Sequence, residues 1–127
     1  MNELNKSYGI NAGKVWDVLY NKGPQVQTKL VKMTNMTDDE FYGAVGWLAR
    51  ENKIFKDKRT FKLGETNLTD KIGENAGKVW NVLSRSTEID ISAITRLLKM
   101  NKTDCYSAIG WLAREGKITT KITLKRK

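Results

Sequence analysis

The residues of this chain that could carry out chemistry are basic, and they are concentrated in two short segments. The 127 residues include 23 lysines and arginines against 14 acidic residues, which gives a formal net charge of +9. Residues 53–64 carry five cations against one acid, and residues 117–127 carry five cations and no acid. Ammonium and guanidinium groups clustered in this way bind polyanions, and nucleic acid is the first candidate.

These two segments account for the whole net charge. Residues 1–52 hold six basic and six acidic residues, and residues 65–116 hold seven of each, so both bodies are neutral. One basic segment alone could be a solvated surface, but two of them on neutral bodies favour contact with phosphates. Each contact releases a counterion, so affinity should fall by up to about 0.9 log unit per log unit of salt for each phosphate. The candidate cations are Lys53, Lys56, Lys58, Arg59, Lys62, Lys117, Lys121, Lys125, Arg126 and Lys127.

Most catalytic chemistry is excluded by the composition. The sequence has no histidine, which is the commonest general acid or base and the commonest metal ligand. Cys105 is the only cysteine, so an intramolecular disulfide and a structural zinc site are both excluded. The acidic residues 38–40 are interpreted as helix capping. We therefore expect a protein that is not an enzyme and that uses no cofactor, metal ion or small-molecule ligand.

The sequence also argues against a membrane protein. No apolar run approaches the roughly 20 residues that a membrane span requires. The first eight residues are polar, unlike a secretory signal peptide. We expect a cytoplasmic protein that does not interact with membranes.

An internal repeat positions the basic segments. Residues 11–16 and 75–80 share the sequence Asn-Ala-Gly-Lys-Val-Trp, and residues 46–51 and 110–115 share Gly-Trp-Leu-Ala-Arg-Glu. At an offset of 64 residues, 21 of the 51 positions in residues 4–54 are identical to their partners, without a gap. We therefore predict two domains, residues 1–64 and residues 65–127. Because each is near the lower size limit for an independent core, the two should pack on each other or share a stiff connection.

Helical spacing predicts three helices in each half. In the first helix of the second half, Asn75 is the predicted N-cap of a stripe formed by Ala76, Val79, Trp80 and Leu83. The second helix spans residues 91–99, with Asp90 as its N-cap and with Ile94, Leu97 and Leu98 on the apolar side. Its counterpart in the first half follows Gly23 and Pro24 and turns Leu30 and Met33 inward. The third helix starts in the first half with a capping box, Thr37 to Glu40, and ends at Asn52 or, in the second half, Gly116.

Short segments rich in isoleucine, threonine and phenylalanine follow each third helix. Residues 53–56 with 60–63, and residues 118–120 with 122–124, are typical of β-hairpins. Three helices followed by a hairpin form a winged helix-turn-helix. The predicted fold class is mainly α with small β-hairpins (α+β), as two tandem winged helix-turn-helix domains. We call the basic segments 53–64 and 117–127 the first and second wings.

The two repeated motifs resemble those of a family of prokaryotic winged helix domains of uncharacterised function. The resemblance covers residues 8–54 and 72–118, so it implies two copies of the domain. It also implies the winged helix fold and DNA binding, but no particular reaction or target.

Any reading of base sequence would have to come from the third helices. Helical spacing turns Cys105, Ala108, Ile109 and Leu112 inward, and Cys105 replaces Phe41 of the first half as a buried, inert residue. The outward positions are Thr103, Ser107, Gly110 and Arg114, and in the first half Asp39, Gly43, Gly46 and Arg50. These are poor base readers, because each helix offers only one arginine. The candidate nucleic-acid-binding residues of the third helices are Arg50, Lys102, Thr103, Ser107 and Arg114.

The glycines of the third helices allow a second interpretation. Glycine costs a helix roughly 1 kcal/mol relative to alanine, so Gly43, Gly46 and Gly110 suggest that something approaches the backbone closely. That could be a DNA backbone or another helix. Trp47 and Trp111, at the edge of the inward face, could likewise pack under a wing or against the other half.

The preferred hypothesis is a DNA-binding protein in which two linked winged helices form a pseudo-dimer that grips duplex DNA with low sequence specificity. A nucleoid-associated, architectural role is favoured over that of a simple transcription regulator, because base-reading residues are scarce. We expect a monomer with internal pseudo-symmetry, or weak self-association. The alternative is a protein-interaction module whose glycine-lined third helices meet a partner or each other.

Overall fold

The described part of the computed structural model comprises residues 3–85, 88–118 and 123–125 and contains eleven helices and strands. The first half contains α1 (Glu3–Lys22), β1 (Gln25–Val26), α2 (Gln27–Thr34), α3 (Asp38–Arg50), β2 (Ile54–Asp57) and β3 (Thr60–Leu63). The second half contains α4 (Thr69–Ser84), β4 (Glu88–Asp90), α5 (Ile91–Leu98), α6 (Lys102–Arg114) and β5 (Thr123–Lys125). The predicted fold class is confirmed.

The first helix of each half is longer than its repeated motif. α4 begins at Thr69, with Leu68 at the N-cap position, so the prediction that Asn75 caps this helix is wrong. Ile72 is 4% exposed and lies one turn before Ala76, which extends the apolar stripe towards the N-terminus. Because the apolar stripe begins before Asn75, this residue lies inside the helix, although its type alone indicated an N-cap.

The second helices are short and bury one central residue each. The Asp90 carboxylate accepts a hydrogen bond from the Ala93 amide at 2.7 Å, which confirms the predicted cap of α5. Leu30 and Ile94 are fully buried, as predicted, but Met33 is 45% and Leu97 is 65% exposed. The prediction that Met33 and Leu97 face inward is therefore wrong. The chain buries the residue four positions after Leu30 instead, where the Thr34 hydroxyl donates to the Leu30 carbonyl oxygen at 2.6 Å.

The third helices begin and end as predicted. The Glu40 amide donates to the Thr37 hydroxyl at 3.1 Å, and the Thr37 amide donates to the Glu40 carboxylate at 2.9 Å, which completes the capping box. Beyond the C-termini of α3 and α6, Asn52 and Gly116 adopt left-handed φ values of 61° and 72°. The chain reverses at these residues and enters the wings.

One strand of each wing pairs with a short strand that precedes the second helix of the same half. β2 and β3 form the predicted hairpin, and β1 adds a third strand through the pairs Gln25 with Phe61 and Val26 with Thr60. In the second half, β4 pairs with β5 through Ile89 and Leu124. Residues 119–122 of the second predicted hairpin lie outside the described residues. β1 and β4 were not predicted, because two or three residues show no alternation.

The core is formed where α1 and α4 pack on the third helices. Phe41 is fully buried and meets Phe61 of the first wing edge to face, with ring centroids 5.3 Å apart. Cys105 is also fully buried, as predicted, and burial raises its thiol pKa to about 11. Among the described helices, none combines the length and apolar character needed to cross a membrane.

The third helices of the two halves pack against each other. Gly46 lies against the backbone of Ser107, and Gly110 against that of Gly43, so closely that a methyl group at Gly46 or Gly110 would overlap a carbonyl oxygen. We call this contact of Gly43, Gly46, Ser107 and Gly110 the seam. All four residues are buried, so the prediction that they face outward is wrong, and the alternative that another helix approaches the glycines is confirmed.

Candidate nucleic-acid interface

The first wing carries exposed cations on both faces of its hairpin, because Lys56 lies opposite Phe61 on one face and Lys62 lies opposite Phe55 on the other. Ile54 is fully buried and Phe61 is 2% exposed, so these side chains hold the hairpin on the helices. Lys56 and Lys62 are exposed, and the Lys62 ammonium lies 5.0 Å from the centroid of the Phe55 ring. The exposed cations of this wing are Lys53, Lys56, Lys58, Arg59 and Lys62.

Three of these cations line a cleft beside the start of α2. Lys56, Lys58 and Arg59 border about 390 Å³ of space together with Val26, Gln27 and Thr28. Val26, at the N-cap position, offers no side-chain cap, and the first turn of α2 contains no acidic residue. Free backbone amides and the helix dipole attract anions at such a terminus. A phosphate in this cleft would therefore meet three cations as well as the start of a helix.

Sequence reasoning missed the contribution of α2 to this cleft. The wing cations are visible as a charge run, but the start of α2 joins them only because β1 pairs with β3. The absence of a capping side chain at Val26 and of acidic residues in the next turn was the available signal.

The second wing is described only in part. Lys117 is half-buried; its ammonium lies 3.4 Å from a Glu115 carboxylate oxygen and 5.4 Å from the centroid of the Trp80 ring. Lys121, Arg126 and Lys127 lie outside the described residues, and for Lys125 only the backbone is described. The roles of these four residues therefore remain predictions from the sequence.

The arginines of the third helices contact the opposite half. Arg50 donates from Nε to Glu115 at 3.2 Å, and Arg114 donates from Nε to Glu51 at 3.0 Å. The Arg50 guanidinium also lies 5.6 Å from the centroid of the Trp111 ring, and the Arg114 guanidinium lies 5.7 Å from that of Trp47. Each tryptophan thus meets the other half through an arginine, as one of the two alternatives predicted, but its ring also lies against a glycine of its own half, Gly9 for Trp47 and Gly73 for Trp111.

The remaining candidates of the third helix divide between surface and interior. Lys102 and Thr103 are exposed at the start of α6. Ser107 is only 5% exposed and lies against Gly46 in the seam, so its predicted place on an outward surface is wrong. Helical projection identifies a second face of the helix, but it does not say what covers that face.

A second basic surface lies at the edge of the seam. Arg50, Arg114, Glu115 and Lys117 line a cleft of about 360 Å³. Lys53, with its ammonium 3.6 Å from Glu51, adds a further cation. Because four cations surround only two carboxylates here, an excess of positive charge remains beside the wings.

The family comparison agrees with this architecture. Residues 1–63 and residues 67–126 each match the model of a family described as winged helix-turn-helix domain (DUF2582). No curated protein matches the chain. A solved structure that matches is the mRNA-binding domain of elongation factor SelB from E. coli in complex with SECIS RNA, at 15% identity and a TM-score of 0.39 over 100% of both chains. Winged helix-turn-helix domains are typically nucleic-acid-binding domains.

Proposed function

Because this chain belongs to the DUF2582 family of winged helix-turn-helix domains and carries two copies of the domain, we propose that it binds double-stranded DNA through its two basic wings. Each wing follows the phosphate backbone, so unrelated duplexes bind with similar affinity. The domain boundary in this proposal lies between residues 64 and 65. The observation that carries it is the exposure of Lys56, Lys58, Arg59 and Lys62, none of which forms an ion pair within the described part of the chain.

The seam supports binding through the backbone over reading of base sequence. Helix-turn-helix proteins place their recognition helix in the major groove, with several side chains at base edges. In this protein the seam residues of α3 and α6 cover each other, and Arg50 and Arg114 are paired with carboxylates. The exposed basic surfaces are the wings, the cleft at the start of α2 and the cleft at the edge of the seam.

This mode of binding suits an architectural protein of the nucleoid better than a simple transcription regulator. A regulator must distinguish its site from a large excess of other DNA, which requires contacts with base edges. The proposed role is that of a binding protein in the cytoplasm and not that of an enzyme. The alternative of a protein-interaction module loses its predicted surface, because the glycine-lined faces of α3 and α6 are occupied by each other.

A salt series with three nucleic acids tests the proposal. Fluorescence anisotropy would measure the affinity of the full chain for two duplexes of unrelated sequence and for one RNA hairpin. We expect equal affinities for the two duplexes and weaker binding of the hairpin. In a plot of the logarithm of the association constant against the logarithm of the salt concentration, each phosphate contacted should contribute a slope of about −0.9. A large ratio between the duplexes would overturn the claim of low specificity, and preference for the hairpin would overturn DNA as the partner.

Charge-reversal variants locate the interface. The double variant Lys58→Glu/Arg59→Glu should bind duplex DNA far more weakly and with a smaller salt slope, because two phosphate contacts become repulsive. Lys14→Glu/Lys78→Glu is the matched control, since it makes the same charge change at exposed positions of α1 and α4. A second test variant replaces Lys121, Lys125, Arg126 and Lys127 by glutamate. If wing and control variants lose affinity equally, only net charge matters and the proposed interface is wrong.

A further inference from the structure

The two halves differ in the equivalent regions where the first helix meets the start of the third helix. In the second half, the Lys71 ammonium lies 3.5 Å from a carboxylate oxygen of Asp104, and Ile72 beside it is 4% exposed. Only about 50 Å³ of space remains there, bordered by Tyr42 and Thr103 among others. A cation supplied by α4 thus pairs with the first turn of α6.

The first half lacks this lysine and contains a larger cleft. At the offset of 64 residues, Ser7 stands in place of Lys71, Tyr8 in place of Ile72, and Glu40 in place of Asp104. The cleft here has a volume of about 330 Å³. It is lined by Ser7, Tyr8, Asn11, Thr37, Asp39, Glu40 and Tyr106. Five of these seven positions have their repeat equivalents around the smaller space in the second half.

The cleft contains a buried polar group without a partner. Asn11 is 9% exposed, and within the described residues its side-chain amide makes no hydrogen bond. A buried amide that lacks hydrogen bonds destabilises a fold, so such groups usually meet water or a ligand. Asn11 therefore points to an occupant of the cleft.

The charge of the cleft favours a cation. Asp39 and Glu40 contribute carboxylates, and no basic side chain lines the cleft. The pKa of Tyr8 is raised, chiefly by burial and to a smaller extent by the nearby Tyr106, Cys105, Asp39 and Glu40. A further negative charge is therefore unfavourable in this cleft. The dipole at the start of α3 opposes a cation, but the same dipole at the start of α6 does not prevent Lys71 from pairing with Asp104.

We propose that this cleft binds the ammonium group of a small primary amine, in the place that corresponds to the Lys71 side chain of the second half. An ammonium has three N–H donors. The cleft offers carboxylate oxygens of Asp39 and Glu40, hydroxyl oxygens of Ser7 and Tyr106, and the side-chain oxygen of Asn11. This inference is independent of the proposed DNA binding, and it departs from the expectation that the protein has no small-molecule ligand.

A ligand series tests the inference on the full chain in the absence of nucleic acid. The probes are n-butylammonium, tetramethylammonium, which has the charge but no N–H donor, and 1-butanol, which has the alkyl chain but no charge. In ¹H–¹⁵N NMR titrations, n-butylammonium should give saturable shifts at the amides of Ser7, Asn11 and Thr37. The other two probes should bind at least about tenfold more weakly. Absence of saturable shifts, or equal affinity for 1-butanol, would overturn the site.

Two variants separate the cleft from general negative charge. Asp39→Asn should weaken n-butylammonium binding at least about tenfold, whereas Asp38→Asn, which removes the same charge from the same turn outside the cleft, should not. Ser7→Lys should abolish binding, because the chain then supplies its own ammonium as Lys71 does. Equal losses in Asp39→Asn and Asp38→Asn, or full binding by Ser7→Lys, would contradict the proposal.

Discussion

At the scale of single residues, the repeated segment Gly-Trp-Leu-Ala-Arg-Glu joins the two halves. Its glycine lets the backbones of α3 and α6 touch, and its tryptophan ring lies beside the guanidinium of the other half. Its arginine and glutamate form reciprocal ion pairs between the halves, while its leucine and alanine are buried in the core. Each residue of the segment is therefore used within the protein.

The seam glycines should tolerate no side chain. Gly46→Ala should lower the free energy of unfolding by about 1–3 kcal/mol, because the added methyl group overlaps a backbone carbonyl that cannot rotate away. Gly13→Ala is the control, since a methyl group there meets open space and should raise the free energy of unfolding by up to about 1 kcal/mol. Urea unfolding measures both, and stabilisation by Gly46→Ala would contradict the close packing of the seam.

Cys105 should make the protein less stable in alkaline solution. Burial raises its thiol pKa to about 11, so above the ordinary thiol pKa the unfolded chain loses this proton while the native state keeps it. The contribution of Cys105 to the free energy of unfolding is therefore complete below about pH 8.5 and is lost as the pH rises towards 11. Urea unfolding measures the free energy of unfolding at pH 8 and at pH 10. The decrease between these two pH values should be smaller for Cys105→Val than for the unchanged protein. Equal decreases would mean that the native thiol ionises normally.

At the scale of elements, the wing and the third helix differ in how their arginines are used. Arg59 is exposed on the first wing, whereas Arg114 is paired with Glu51 across the two halves. Arg59→Ala should reduce the salt slope of DNA binding by about 0.9, and Arg114→Ala should leave it nearly unchanged. The salt series described above measures both slopes. A larger loss for Arg114→Ala would mean that the third helix contacts the nucleic acid after all.

Features set by neighbouring residues could be predicted from the sequence. The capping box of Thr37 and Glu40, the Asp90 cap and the left-handed Asn52 each depend on a few consecutive residues, and the structure contains all three. Met33 and Leu97 were misplaced, because a helix of eight residues has too few positions to define its buried face.

Features that join distant segments could not be predicted in the same way. Glycine in α3 indicates a close approach, but the approaching backbone is that of Ser107, which belongs to the other half. The cleft around Asn11 likewise combines Ser7 from α1 with Tyr106 from α6. For the basic wings, charge alone was sufficient to select candidates, since solvent exposure of lysine and arginine is the general rule.

At the scale of the whole molecule, the two halves should unfold together. Each has only about 60 residues, a size at which an isolated core is marginally stable, and α3 and α6 bury their central faces against each other. Far-UV circular dichroism and tryptophan fluorescence should therefore report a single, coincident urea transition. Two separated transitions would show that each half is stable without the seam.

The seam also has a consequence for the rate of folding. The ion pairs beside it, Arg50 with Glu115 and Arg114 with Glu51, join residues that are 65 and 63 positions apart, about half the length of the chain. Helical proteins usually fold fast because their contacts are local, whereas contacts between distant residues slow the search. The helices of each half can form early, but the contact of α3 with α6 requires residues from both halves to be in place. The rate at which native protein appears should therefore be limited by the docking of one half on the other.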